Sequence, residues 1–536
     1  MYNSTFYNVY LVIILFNIKF AVDKIKQNMP ISSTSNLITH PNHILTKISI
    51  ILGMLILFCL TPAVAHIVGD NGATNIQGDK MIAYPGGKAF FFRLYLSDKH
   101  NTPYSLDNPS EFLSPKAITR RNRQQLCIDS TDIPVVKQHI DAIANSGLQV
   151  VGTSRWHNTV LVRTKDADIQ SITASLPFIT KSELVFTTPD SILPTHRKTY
   201  HENLLPTPLV NNKSTFYGAA DMQISAINGK QLHAKGFRGK GMTIAILDGG
   251  FMNVDRIPSL KNANIICKRN FVADGCKDVC NEIDHGTKVL STMATCEPNV
   301  FVGTAPAARY LLLRSEDYNT ESRVEEDYWT MAAEYADSMG VDIINSSLGY
   351  HHYDNDTPST AYRYSQLDGK TTFISQSASM LARKGIILVN SAGNEGIGTW
   401  KKINFPADAT DIISVGAIRP DSVNAAFSSI GNTVDGRIKP DVMAPGAPAA
   451  VITGKGSISE EMGTSFAAPV VCGMVACLWQ ANPTKTATEI ISIVRNSASQ
   501  SASPDNIFGY GIPDFSQALL IGRKGIDMIY TEGGVR

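Results

Sequence analysis

The sequence predicts an α/β protein: a doubly wound, mostly parallel sheet, preceded by a small α+β unit of ferredoxin-like order. Three observations carry this. From Tyr217 onward, largely apolar runs alternate with helical patterns, as buried parallel strands and their crossovers do. Residues 89–187 read β-α-β-β-α-β, the split motif of a ferredoxin-like unit. Between them, Pro189–Ser214 holds four prolines, many polar residues and little periodicity, and reads as an exposed linker.

In the small unit "AFFFRLYL" is the first strand. "PVVKQHIDAIANSG" places Val136, Ile140 and Ile143 at helical spacing and ends at Gly147. "LQVVGTS" and "NTVLVRT" are strands that meet around Arg155–His157. "DADIQSITASL" is a second helix capped by Asp166 or Asp168, and "SELVFTT" is the last strand. An insertion, Asp98–Ile133, separates the first strand from the first helix; its "SPKAITRRNRQ" reads as a short basic helix with a solvated face. In the large unit "MTIAILD", "VDIINSSLG", "GIILVNSAGN" and "IISVGAI" are strands, and helices are expected at His285–Thr295, Val324–Met339, Ser375–Lys384 and Ser465–Gln480. Functional groups of such sheets gather beyond the carboxyl ends of the strands.

A chain of 536 residues is expected to hold two or three folded units. Its formal net charge of +1, with no long block of like charge, argues against a nucleic-acid partner. Two apolar stretches mark the N-terminus, Val9–Phe16 and Ile48–Leu60. The second follows Lys47 and leads to "TPAVA", an A-x-A cleavage pattern ending at Ala65, so a secretory signal is expected. The first is too short to span a bilayer comfortably. It is read as untranslated sequence upstream of a start near Met29, the alternative being an anchor near residue 10. Cys59 leaves with the signal, Cys127 falls in the small unit, and Cys472 and Cys477 read as packed thiols. Cys267, Cys276, Cys280 and Cys296 lie close in sequence; one or two disulfides of undetermined pairing are expected there, with a Cys276/Cys280 zinc half-site as the alternative.

Four residues stand out. Asp248 ends the strand "TIAIL", His285 opens a helix, Asn394 follows the strand "IILV", and Ser465 opens a helix after Gly463 and Thr464. Singly, each has an ordinary reading: loop cap, satisfied histidine, turn amide, helix cap. Together they supply an orienting acid, a base, an oxyanion donor and a nucleophile, every part acyl transfer needs.

"IAILDGG", "DHGTKV", "NSAGNEG", "KPDVMAPG" and "GTSFAAP", in that order, resemble the signature segments of the subtilisin-like serine proteases over about Tyr217–Arg523. The resemblance implies a triad of Asp248, His285 and Ser465, with Asn394 as oxyanion donor. "SSLG" and "NSAG" resemble the strands that pair with substrate backbone, which assigns Ser347, Leu348, Gly349, Ser391, Ala392 and Gly393 to substrate binding. The unit before residue 190 resembles an inhibitory propeptide. Two departures are local: Asp248 is followed by Gly-Gly where many relatives have Thr-Gly, and Ser465 by Phe466 where Met is common.

The domain plan that follows is a targeting region to Ala65, a propeptide over 66–188, a linker over 189–216, a catalytic domain over 217–523 and a short tail over 524–536, with no added β-sandwich or sorting domain. The implied function is an exported serine endopeptidase (secreted, periplasmic or at the cell surface), made as a self-processing zymogen. Its expected partners are protein or peptide substrates and its own propeptide; a monomer is expected. No cofactor is needed for the chemistry and no metal ligand is assigned; structural calcium, frequent in such proteins, stays unassigned. A non-catalytic peptide-binding relative and a sedolisin-like peptidase with an acidic base are the competing functions.

Overall fold

The structure is a computed structural model and describes residues 81–192, 215–354, 356–357 and 359–531, with side chains as far as residue 523. The targeting region and most of the linker, 193–214, lie outside the described residues.

The small unit contains β1 (Phe90–Leu96), α1 (Pro115–Arg123), α2 (Lys137–Asn145), β2 (Gln149–Ser154), β3 (Thr159–Thr164), α3 (Gln170–Ala174) and β4 (Ile179–Thr187). Its sheet is antiparallel in the order β2-β3-β1-β4, as expected of a ferredoxin-like unit. Phe92, Leu94, Val160 and Val162 turn inward with Ile143 of α2, which matches the alternation and helical spacing of the sequence. Asp168 Oδ1 accepts the Gln170 N–H at 2.9 Å and so guides the chain into α3.

The large unit is built on β5 (Thr243–Asp248), β6 (Asn264–Asn270), α4 (His285–Ala294), β7 (Arg309–Arg314), α5 (Val324–Ser338), β8 (Ile343–Ser346), α6 (Phe373–Arg383), β9 (Ile387–Ser391), β10 (Ile413–Ile418), β11 (Val442–Pro445) and α7 (Thr464–Ala481). Seven strands form one parallel sheet in the order β11-β10-β9-β8-β5-β7-β6. Every residue of β5, β8, β9 and β10 is buried, which explains their apolar runs. Three strands escaped the sequence reading. β6 alternates at the sheet edge, β7 is a short run closed by two arginines, and β11 is only four residues long. The chain leaves β5 first toward β7 and β6, then returns to the other side through β8. The direction therefore reverses at β5, and the crevice opens beyond its carboxyl end.

Within Asp79–Arg536 the described residues form one compact unit. The reason is the depth at which the small sheet docks on α5 and α6. Trp156, in the β2–β3 turn, is buried in the same apolar cluster as Trp329, Ala333 and Ala378. Arg93 of β1 donates two hydrogen bonds to Asp327, at 2.8 and 2.6 Å, with its guanidinium 3.6 Å over the Phe373 ring.

The inserted helix α1 corrects the expectation of a solvated basic face: Arg120 and Arg121 are buried. Arg120 binds Asp337 and donates to the Val341 and Lys384 carbonyls at 2.6 and 2.9 Å. Arg121 bridges Asp132 and Asp337 at 2.7 and 2.9 Å, and Arg155 adds a third cation to Asp337 at 2.8 Å. These groups lie at the C-terminal ends of α5 and α6, where free carbonyls and the helix dipoles favour cations. Burial opposes the Asp337 charge, but the three guanidinium groups more than offset it and hold its pKa at about 2.

The expected disulfides are also corrected. All seven described cysteines are free thiols. In the loop that was to carry the bridges, each sulfur has a different neighbour: Cys267 the Tyr335 hydroxyl at 3.4 Å, Cys276 the Asp278 carbonyl at 3.3 Å, Cys280 the Lys268 ammonium at 3.2 Å. Cys472 and Cys477 are packed thiols in α7, as the apolar run around them implied.

Candidate active site

Asp248 is the last residue of β5 and is fully buried. Arg314 Nε, at the end of β7, holds the next turn by donating to the Gly249 carbonyl at 2.8 Å. His285 is the first residue of α4. Its Nδ1 lies 2.9 Å from both Asp248 oxygens. That bond sets the tautomer and leaves Nε2 for the cleft. Burial disfavours the imidazolium, yet the charge and hydrogen bond of Asp248 outweigh it, and the His285 pKa is raised above its ordinary value. The rings of Phe466 and Tyr318 flank the imidazole, with centroids 5.6 and 6.3 Å away.

The motif glycines are demanded by close approaches. A Cβ on Gly286 would meet the Gly250 carbonyl oxygen at 2.5 Å, and one on Gly249 would meet the Tyr318 ring at 2.1 Å. The second contact accounts for Gly-Gly after the acid: Tyr318 fills the space of a larger side chain there.

Ser465 is the second residue of α7 and partly exposed, between buried Thr464 and Phe466. Pro469 has no N–H to bond the carbonyl four residues back, which is that of Ser465. The Ser347 hydroxyl takes its place, donating to the Ser465 carbonyl at 2.8 Å, while Ser465 Oγ donates to the Ser347 carbonyl at 3.2 Å. The proline of "GTSFAAP" thus ties the serine to the end of β8. In this conformer the Ser465 hydroxyl is turned to Ser347; catalytic hydrogen bonds often tighten only once substrate binds.

Asn394 follows β9 and is exposed to the cleft. Its Oδ1 accepts both the Thr464 N–H at 2.9 Å and the Thr464 hydroxyl at 3.0 Å. Thr464 Oγ1 in turn accepts the Gly393 N–H at 3.2 Å. With the oxygen engaged, the amide presents its Nδ2 donors outward.

His285, Asn394 and Ser465 line one cavity of ≈ 520 Å³ together with Ser347, Leu348, Gly349, Ser391 and Gly393. Of the expected substrate-binding residues Ala392 stands apart. Its N–H bonds the Val415 carbonyl and its carbonyl takes the Asn404 N–H, so it braces the neighbouring residues and has no free backbone group to offer.

Sequence reasoning missed the rest of the wall. Glu316, Asp317, Tyr318 and Glu321 follow β7, and Asp354, Glu395 and Asn404 complete it. The available signal was the apolar run "YLLL" with acids beyond its carboxyl end. Among the described residues two acid clusters gather, Asp255/Asp278/Cys280 and Glu316/Glu321/Glu325. Neither suits calcium: the first offers a thiol to a cation that takes oxygen, and in the second both Glu325 oxygens already accept backbone N–H groups.

Comparisons with known proteins agree with this geometry. Residues 239–511, half of the chain, match the model of the subtilase family, and residues 92–201 match the peptidase S8 propeptide domain of Bacteroidota. Subtilisin NAT of Bacillus subtilis subsp. natto is 29% identical over 291 residues, covering 54% of this chain and 68% of that protein. Subtilisin of Bacillus pumilus is 28% identical over 291 residues, covering 54% and 94%. An intracellular serine protease of Paenibacillus polymyxa is 32% identical over 249 residues, covering 45% and 68%. A propeptide-like unit docked on a parallel α/β sheet, the aligned Asp248 and His285, and the Ser465 helix are what such relatives lead one to expect: the chain belongs to the subtilase family of serine peptidases and carries that family's propeptide domain.

Proposed function

We propose that this chain is the zymogen of an exported serine endopeptidase, acting through Asp248, His285 and Ser465 and maturing by its own cut. The observation that carries the reading is the paired geometry of His285 on Asp248 and Asn394 on Thr464 around one cavity. Ser465 Oγ attacks the substrate carbonyl carbon as His285 Nε2 takes its proton. Asn394 Nδ2 donates to the oxyanion. Collapse breaks the C–N bond, His285 returns the proton to the amine, and water hydrolyses the acyl-enzyme by the same path. Asp248 keeps the imidazole oriented and stabilises its charged form. No metal or cofactor enters these steps. Nucleic acid is not a partner, and the enzyme acts as a monomer.

Export rests on the signal-like segment ending at Ala65. Self-processing rests on the domain order and on where the described part of the linker stops: Ile192, at the linker's start, packs in one cluster with Val272 and Val324 of the large unit.

The test is Ser465→Ala in a protease-deficient host. The variant should accumulate uncut and take no fluorophosphonate label. The parent should label and yield a domain beginning between residues 187 and 217. A folded parent that takes no label would leave the peptide-binding relative as the better account. A labelled parent whose Ala variant matures equally fast would mean that another protease makes the cut.

A further inference from the structure

The cleft has an unusual charge. Among the described residues His285 is the sole cationic or ionisable basic side chain lining it, while Glu316, Asp317, Glu321, Asp354 and Glu395 line it as well. Glu316 and Glu321 line it, and Glu325 lies behind them: the carboxylate oxygens of the three come within 4.8 Å of one another, with Glu316 and Glu325 buried. Tyr350, directly after the substrate edge Ser347–Gly349, donates its hydroxyl to Glu316. Glu325 is held by the N–H groups of Asp317 and Ser322 at 2.8 and 2.9 Å. These bonds position the group without supplying a positive charge. Burial first, and the neighbouring carboxylates second, push Glu316 and Glu325 up and Glu321 to about 7. Crowded, desolvated carboxylates of this kind are relieved by an incoming cation.

A second observation comes from the chain itself. The linker carries His196, Arg197 and Lys198 in a row, beginning four residues after Ile192, the last described residue before 193–214. Leu184–Pro189, at the end of β4 and just after it, already line a cavity shared with Glu321 and Arg323. The sequence that follows the described propeptide strand is thus cationic where the cleft is acidic.

We propose that Glu316 and Glu321, backed by Glu325, select a Lys or Arg side chain on the acyl side of the cut, and that Arg197–Lys198 is the first substrate they select. This rests on reading the cavity as the substrate cleft of a peptidase. An extended chain advances 3.3–3.6 Å per residue, so the self-made cut falls within about three residues after Lys198, given that the acids and Ser465 share one cavity.

The experiment uses the full exported chain and the mature enzyme it releases. The mature N-terminus, read by mass spectrometry, is expected within about three or four residues after Lys198; an N-terminus at or before Lys198, or farther downstream than that, overturns the proposal. A peptide library with every residue at each position is expected to show Lys or Arg enriched at one acyl-side position. Glu321→Gln and Glu316→Gln should cut the preference for Lys over the similarly sized Met at that position by about tenfold or more, mainly through KM, as loss of a charge-assisted hydrogen bond does. An active enzyme without cationic preference, or variants that keep it, overturn the proposal and leave the peptidase reading intact. So does a preference absent from the start together with calcium-dependent stability lost in Glu321→Gln, which would make the wall a metal site. Absence of fluorophosphonate labelling and of all cleavage overturns the underlying reading instead.

Discussion

Thr464 binds the Asn394 side-chain oxygen twice, through its backbone N–H at 2.9 Å and its hydroxyl at 3.0 Å. The residue before the candidate nucleophile, at the start of α7, therefore orients the candidate oxyanion donor. Asn394→Ala should lower kcat far more than it changes KM, because the amide matters most once the oxyanion forms. The expected loss is about 10²–10³-fold, the range known for the corresponding donor of subtilisin. Thr464→Val keeps the shape and the N–H bond but removes the hydroxyl, and should cost less in kcat than Asn394→Ala. Steady-state kinetics of both variants check this; a large KM change with kcat intact would make Asn394 structural.

In the proposed mechanism the imidazole of His285 must be neutral to accept the Ser465 proton. Asp248 favours the charged form, so the pKa is raised, and a raised pKa moves the rise in rate to higher pH. We expect kcat/KM of the mature enzyme to be low in acid, to climb with a midpoint above the free-histidine value of about 6.5, and to stay high in mild alkali. An optimum well below neutral contradicts His285 as the base and favours an acidic one.

Arg121 is buried between Asp132 and Asp337. Removing one partner of a buried ion network leaves uncompensated charge, so Arg121→Met should destabilise the uncut Ser465→Ala precursor by about 3–5 kcal/mol. Urea unfolding of the precursor with and without the substitution measures this. A change under about 1 kcal/mol, the value of an exposed pair, would mean that α1 is solvated after all.

His157 lies in the interface, with Nε2 2.8 Å from the Ser377 hydroxyl and its ring 4.3 Å from that of Phe373. Burial, then the Arg93 charge, lower its pKa to about 4. A histidine held neutral on folding contributes stability that is complete above the unfolded value of about 6.5 and is lost as pH falls toward the folded value. Asp337, held at about 2, keeps its contribution through this window, since it loses it only below the unfolded carboxylate value of about 3.9. The Ser465→Ala precursor should therefore lose Tm between pH 6.5 and 4, and His157→Gln should flatten that slope. Calorimetry across the range decides; an equal slope in the variant would place the titrating group elsewhere.

Much of this molecule was legible in the linear chain, and for a local reason. A buried parallel strand must be apolar along its length, so β5, β8, β9 and β10 could be read directly. Asp248, His285, Asn394 and Ser465 each sit at a strand end or helix start whose neighbours are constrained by backbone packing, as the close approaches at Gly249 and Gly286 show. Such constraints act over a few residues and leave motifs. The acid wall, the Arg120–Arg121 clamp and the unpaired cysteines left none. Glu316 meets Glu325 and Tyr350, Arg121 meets Asp337, and Cys276 and Cys280 find separate partners, through contacts that span up to hundreds of residues. A charged side chain reads as solvated until a second surface covers it. Whether one does depends on docking of the small unit, a property of the folded shape that no stretch of sequence around Arg121 encodes.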